Sequence, residues 1–256
     1  MDADLTVVTV SLNPGKVLQC CLDSVALQKG VRCRHIVVDG GSTDGTLQLL
    51  ENRDDPCLTF SSQPDGGIAD AMNKGARQAE GDWLVFLQAD DELADEYALH
   101  SVLQAVGGRE VDLVASAVRI GDRSSFPCQP GTSRFGWPPA SPFKQPFRHQ
   151  GLLVSRTAWR RVGAYDPTFR ITMDFDWLLR AFWLRASVIR VGCLLSRVGP
   201  FGISSSRERD WLLRRLREEH RARMKNAPNP AWAAGYRVFW WVYRPYRMMR
   251  TGMSAS

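Results

Sequence analysis

The sequence predicts an α/β fold, a mostly parallel sheet flanked by helices, with a helical amphipathic extension at the C-terminus. Three observations predict it. Over the first ~115 residues, short β-branched runs alternate with segments of helical spacing, the pattern of a parallel sheet covered by helices. The run Trp83–Leu87 is apolar throughout, as expected of a strand covered on both faces. Residues 203–256 hold twelve Arg or Lys and four Asp or Glu, a net of +8 in a chain whose total is +6.

The elements follow in order. Leu5–Ser11 is a first strand, stopped by the turn signal Asn13-Pro14-Gly15. Val17, Cys20, Cys21, Ser24, Val25 and Gln28 keep helical spacing. Arg34–Asp39 is a second strand, and Ser42-Thr43-Asp44 open a helix to about Leu50 as capping residues. Cys57–Ser61 is a weaker third strand, Gly67–Ala79 a helix, Trp83–Leu87 the fourth strand and Val111–Val118 the fifth. Residues 124–147, rich in Pro, Ser, Gly and Phe, form a loop long enough to expect function or motion. Leu152–Val154 and Val188–Val191 read as short strands, and Asp174–Ala186 and Arg207–Lys225 as helices. Residues 1–205 then form one domain and 206–256 a basic, aromatic extension.

Composition excludes several classes. Of 256 residues, 44% are apolar and 23% charged, which rules out wholesale disorder. The longest stretch without Asp, Glu, Lys or Arg, Tyr97–Gly108, is 12 residues, against the ~20 a membrane span needs. The acidic start Met1-Asp2-Ala3-Asp4 lacks the basic region of a signal peptide, so a cytoplasmic location is expected. The six cysteines form no C-x-x-C, so they are expected to be small buried apolar residues rather than disulfide or zinc ligands. Outside the tail the net charge is −2, which argues against a nucleic-acid partner and points to a tail that meets something anionic.

Ligands of parallel sheets bind beyond the carboxyl ends of the strands. The acidic residues fall there: Asp39 after the second strand, Asp65 after the third, Asp90 and Asp91 after the fourth. Gly40–Thr46 (GGSTDGT) is neither a Walker loop nor G-x-G-x-x-G, and taken alone is a capped turn. Asp90-Asp91 suits a divalent cation, which takes carboxylate and phosphate oxygens, or else a helix N-cap. Asp70, Asn73, Lys74 and Arg77 share a helical stripe on which Asp70 and Lys74 are spaced for an ion pair.

Five segments together resemble family 2 glycosyltransferases of the GT-A type, which have a Rossmann-like sheet. They are Asp39-Gly-Gly-Ser-Thr-Asp-Gly-Thr, Asp65-Gly-Gly-Ile-Ala-Asp-Ala-Met-Asn-Lys-Gly75 and Gly81-Asp-Trp-Leu-Val-Phe-Leu-Gln-Ala-Asp-Asp91. Phe147-Arg-His-Gln-Gly151 and Tyr165-Asp-Pro-Thr-Phe with Met173-Asp-Phe-Asp-Trp-Leu-Leu-Arg180 complete the set. The likeness covers roughly residues 5–205, and the His-Gln pair is similar to that of bacterial enzymes that build exopolysaccharide, capsule or O-antigen (lipopolysaccharide) units.

The resemblance implies roles. Asp39 would accept a hydrogen bond from the donor's nucleobase, with the glycines that follow it letting the base approach the backbone, and Gly40 and Ser42 would be among the donor-binding residues. Ser11, Asn13 and Asp65 would line the nucleotide pocket, and Asp70 and Asn73 would face the donor. Gln88, Ala89 and Asp90 occupy the family's D-x-D motif, with Gln88 in place of the usual first acid. Asp90, with Asp91, would hold Mn²⁺ or Mg²⁺ on the diphosphate, and His149 would contact the diphosphate or acceptor. Asp174 would be the base that takes the acceptor hydroxyl's proton. Helical spacing favours it over Asp176, whose i+4 neighbour Arg180 offers a surface ion pair. Ser204–Ser206 with Arg207 would form a turn near the phosphates.

The implied reaction is inverting transfer of a single sugar from a nucleoside-diphosphate sugar to a lipid-linked saccharide. The chain lacks the Gln-x-x-Arg-Trp motif of processive synthases. Transfer to polyprenyl phosphate or a small glycolipid, or a non-catalytic nucleotide-sugar-binding scaffold, remains open. Residues 232–250 interleave Trp232, Tyr236, Phe239, Trp240, Trp241 and Tyr243 with arginines, as expected of a helix on an anionic membrane surface, or of one docked on the body or forming a dimer contact.

Overall fold

The computed structural model describes residues 4–121, 123–125, 136–199 and 209–250; the expected turn at Ser204–Arg207 lies outside them. The first half alternates strand and helix: β1 (Leu5–Ser11), α1 (Val17–Ala26), β2 (Cys33–Asp39), α2 (Thr46–Glu51), β3 (Leu58–Ser62), α3 (Ile68–Gln78) and β4 (Trp83–Gln88). Then come β5 (Glu92–Leu93), α4 (Ala98–Val106), β6 (Leu113–Ile120) and β7 (Arg123–Ser125). A 3₁₀ turn (His149–Gly151) leads to β8 (Leu152–Ser155), α5 (Arg156–Val162), α6 (Met173–Trp183) and β9 (Val188–Val198). Helices α7 (Arg209–Lys225) and α8 (Pro230–Arg250) end the described chain.

The strands form one sheet of order β3-β2-β1-β4-β8-β6-β9-β5, with β7 beside β6. The β3-β2-β1-β4 half is parallel, β8 runs antiparallel between β4 and β6, and β6 and β9 are parallel. The expected α/β fold is therefore present. Its register sets the rim. Ser11 pairs with Asp39, Asp39 with Ser62, and Val10 with Gln88, so three strand ends stop at one level and the fourth just short of it.

The centre of the sheet is buried on both faces, while the edge strand β3 is partly exposed. All of β1 is buried, with Val8 and Val10 in one core and Leu5 and Val7 in the other, as alternation along a strand requires. Burying such side chains stabilises by ~1.5–3 kcal/mol each. Trp159, Tyr165, Trp177 and Phe86 cluster by their rings, fixing α5, α6 and the intervening loop on β4.

Several local expectations change. Helix α2 starts at Thr46, four residues after Ser42, because Ser42 and Asp44 are taken up by the loops between strands and helices. β9 runs to Val198 rather than Val191 because β6 pairs along its length. Cys21 is buried and its thiol is pushed up to about 12, chiefly by burial, but Cys20 and Cys57 are exposed, so the buried reading fails for them. No described helix is long and apolar enough to cross a membrane.

The extension is folded onto the body. Phe143 meets the rings of Trp232, Tyr236 and Phe239, and Trp183 meets Trp232. Arg223 is buried beneath α8, where it donates to the Phe143 carbonyl and to Glu219 and lies over Phe239 and Tyr243. Much of the aromatic content of residues 232–243 thus docks on the protein.

Candidate active site

The loops beyond the carboxyl ends of β1 and β2 are laced together. Ser42 Oγ accepts the Asn13 N–H at 2.8 Å, Asn13 Oδ1 accepts the Thr43 N–H at 2.8 Å, and Asp44 accepts the Gly15 N–H at 2.7 Å. Asp39 is the centre of this lacing. Its carboxylate accepts from Ser11 Oγ, Ser62 Oγ, Ser42 Oγ and the N–H groups of Gly41 and Ser42, at 2.5–3.1 Å. Burial raises its pKa, but these bonds outweigh it and hold the carboxyl below its ordinary value. Asp39 is fully buried, and a base would reach it only if a serine yielded its bond.

A cavity of about 700 Å³ opens at this rim. Ser11, Asn13, Asp65, Gln88, Ala89 and Asp90 line it, as the sequence led us to expect. Gly40 sits behind Asp65: a Cβ there would lie 2.8 Å from the Asp65 carboxylate. Asp65 also accepts the Gly67 N–H at 2.7 Å, which fixes the turn into α3.

Asp70, Asn73 and Asp91 are held by the surrounding fold. Asp70 is outside the cavity lining. It pairs with Lys74 at 2.9 Å and accepts the Gly66 N–H, so it braces the start of α3. Asn73 is buried against Tyr165, donating to its carbonyl and accepting its N–H at 2.8 and 2.9 Å; it ties α3 to the loop before α6. Asp91 is almost fully buried and accepts the N–H groups of Gln88 and Gly199 at 2.8 and 3.1 Å. Burial keeps its carboxyl above the usual range. It closes the turn after β4 and, unlike Asp90, is not among the residues that line the cavity.

The cation therefore has one cavity-lining carboxylate in this motif, Asp90. No group of three His, Cys, Asp or Glu able to hold a metal occurs among the described residues. One carboxylate still fits Mn²⁺ or Mg²⁺, which complete their shells with substrate phosphates and water. Gly199 makes the position tolerable, since a Cβ there would collide with the Asp90 backbone oxygen and carboxylate.

Asp174 is the second residue of α6, in the turn where a helix favours negative charge. Gln145 Nε2 donates to its Oδ2 at 2.5 Å, His149 Nδ1 lies 3.4 Å from the same oxygen, and Oδ1 accepts the Phe175 N–H. Burial raises its pKa, but the bond and charge of His149, the Phe175 N–H and the charge of Arg215 bring it below the ordinary carboxylate value. The carboxylate stays about 15% exposed, and His149 Nε2 is buried without a hydrogen-bond partner. Asp174 and His149 are not among the residues that line the rim cavity; its wall on this side of the molecule comes from Pro167, Phe169 and Arg170, in the segment that leads into α6, and from Trp211 and Arg214 of α7.

Asp176 differs from its expected surface pairing. It is fully buried and bonds Arg180 at 3.1 Å, Lys225 at 3.2 Å and Asn226 at 2.9 Å, so it locks α6 to α7. Gln145, Arg170, Trp211 and Arg214 were not among the expected site residues. The helical pattern of α7 was legible, but nothing local says that its Trp211 face closes a cavity some hundred residues away in sequence from Asp90.

The glycosyl transferase family 2 model matches residues 6–166. A PGL/p-HBAD biosynthesis glycosyltransferase of Mycobacterium tuberculosis is 33% identical over 198 residues, 72% of this chain and 72% of that protein. Among solved structures, a mannosyltransferase from Pyrobaculum calidifontis in complex with GDP-Man and Mn²⁺ superposes with a TM-score of 0.70 at 17% identity, covering 98% of this chain and 74% of the other. S. aureus TarS 1-349 in complex with UDP-GlcNAc gives 0.68 at 18% identity, over 95% and 74%. With the rim motifs in register and a family match over most of the body, the chain belongs to glycosyl transferase family 2 and is a glycosyltransferase with the GT-A fold.

Proposed function

We propose that this enzyme transfers a single sugar from a nucleoside-diphosphate sugar to a hydroxyl of a lipid-linked saccharide in surface polysaccharide assembly, with inversion. The observation that carries the reading is the pairing of a rim cavity bearing Asp65, Gln88 and Asp90 with a low-pKa carboxylate, Asp174, at the start of α6. The nucleotide enters between the Ser11–Asn13 loop and Asp65, with Asp39 shaping that loop through its serines. Asp90 holds Mn²⁺ or Mg²⁺. When bound, the cation offsets charge on the departing diphosphate.

Asp174 takes the acceptor hydroxyl's proton as that oxygen forms its bond to the anomeric carbon and the bond to the diphosphate breaks. Gln145 and His149 aim the carboxylate, and His149 helps keep it ionised. A base whose pKa lies below neutrality is always in its active form at neutral pH, at the cost of weaker proton affinity. The basic tail holds the enzyme peripherally on the cytoplasmic face of the membrane, close to the lipid-borne acceptor.

The test is a panel of nucleotide sugars read by thermal shift with and without Mn²⁺, followed by assignment of the anomeric configuration of the product. A donor that raises Tm more with Mn²⁺ supports the reading. Turnover with retention of configuration contradicts inversion by a single base, and donor binding with no turnover on any acceptor supports a scaffold instead.

A further inference from the structure

Helix α8 has two apolar faces, and the body uses only one. Tyr243 and Phe239 close on Leu212 and Leu216 of α7. On the opposite face, Val238, Trp241, Val242, Pro245, Tyr246 and Met249 recur at i, i+3, i+4, i+7, i+8 and i+11, a single stripe of an α-helix. All six are exposed, Trp241 at 79% and Met249 at 70%. A continuous apolar patch of this kind on a protein surface marks an interaction site.

The stripe is bordered by cations. Arg237 and Arg244, seven residues apart on one flank, are both exposed, and residues 230–250 contain no Asp or Glu. Behind Arg244, between α7 and α8, lies a groove of about 560 Å³ lined by Arg217, His220, Arg221, Trp240 and Arg244. Arg221 is committed to Thr168, whose carbonyl and hydroxyl it bonds. Arg217 and Arg244 have no ion pair among the described residues. His220 stacks on Trp240 at 4.6 Å and leaves its Nδ1 buried without a hydrogen-bond partner. Among the described residues the groove therefore offers two guanidinium groups without an ion pair and one buried polar atom without a hydrogen-bond partner, beside an apolar stripe.

We propose that this face of α8 lies in an anionic phospholipid leaflet, the stripe at the acyl boundary and a lipid phosphate seated between Arg217 and Arg244. A stripe without charge suits the hydrocarbon edge, exposed Trp and Tyr suit the headgroup zone, and guanidiniums pair with phosphate. A second copy of the chain suits it less. Helix α8 carries no acidic residue, so self-pairing sets Arg237 and Arg244 beside an equally basic helix with no counter-charge. The inference rests on the reading that the acceptor is membrane-borne, and it names the surface that brings the enzyme there.

The test uses the full chain and vesicles of phosphatidylcholine, alone or with about 30 mol% phosphatidylglycerol, to supply the anionic surface. The wild type should float with the anionic vesicles. Trp241→Glu with Met249→Glu should abolish binding to either vesicle. Arg217→Gln with Arg244→Gln should weaken anionic-vesicle binding about 30-fold, on the scale of two basic side chains at the surface. Melting curves and donor thermal shifts on each variant report folding and the donor site separately. A wild type that stays in solution with intact donor binding overturns the membrane face and leaves sugar transfer standing. So does an arginine variant that keeps the wild-type preference. If Trp241→Glu instead turns a dimer into a monomer by light scattering without changing vesicle binding, the occupant is a second copy and the proposal fails.

Discussion

Glu218 of α7 accepts the backbone N–H groups of Ile171 and Thr172 at 2.8 and 3.1 Å, just ahead of Asp174. It also takes the Arg170 N–H, so one carboxylate from the C-terminal extension satisfies the chain that enters α6. The extension thus anchors the segment that carries the proposed base. Glu218→Ala should lower stability by about 1–3 kcal/mol, the cost of leaving such groups unmet, and should lower kcat more than donor affinity. Chemical unfolding together with steady-state kinetics checks both.

The environment of Asp174 makes a pH prediction. Its folded pKa lies below the ordinary carboxylate value, so the base form persists as pH falls to that value and is lost only below it. Removing His149 as His149→Ala deletes a lowering contribution and leaves burial unopposed by it. The acid limb of kcat should move to higher pH. Gln145→Glu should move it the same way, by placing a like charge beside the Asp174 oxygen that Gln145 now contacts. Matched pH–rate profiles of the three proteins are the measurement; an unmoved acid limb in both variants contradicts the assignment.

Asp176 should behave as a structural residue. Its carboxylate is fully buried among Arg180, Lys225 and Asn226, and removing one partner of a buried ion pair costs about 3–5 kcal/mol. Asp176→Ala should fall at the upper end of that range and Asp176→Asn lower, both seen as a drop in the unfolding midpoint. Whatever fraction stays folded should retain donor binding.

Asp90 should govern the response to divalent cations. Asp90→Asn should cut transfer by about 10²-fold or more, the scale of losing one electrostatic stabiliser at a reacting group. It should also abolish the Mn²⁺-dependent part of donor-induced thermal stabilisation. Asp91→Asn should lower Tm while leaving that Mn²⁺ response in place, because Asp91 is bonded to the Gln88 and Gly199 N–H groups inside the turn.

How much was legible follows from which forces are local. The β1–β4 half could be read because apolar runs, turn residues and helical spacing are written within a few residues of each other. The rim could be read because acids at strand ends converge in any parallel sheet. The saturation of Asp39 could not, because Ser11 and Ser62 reach it through the register of two different neighbouring strands. The Asp176–Arg180 pair was visible at i,i+4, but its burial depends on Lys225 and Asn226 some fifty residues later. Gln145 lies at the end of an irregular segment with no period to mark it, and Asp90 and Asp91 are neighbours in sequence whose side chains diverge only in the folded turn.

The most direct test of the account is Asp174→Asn, studied for donor binding and for single-turnover transfer. An amide keeps the shape and cannot take the acceptor's proton. The account predicts a normal melting curve, near-normal donor affinity and transfer reduced by at least about 10²-fold, the contribution expected of a positioned general base. Wild-type turnover in a folded Asp174→Asn protein would contradict it, as would a loss confined to donor affinity.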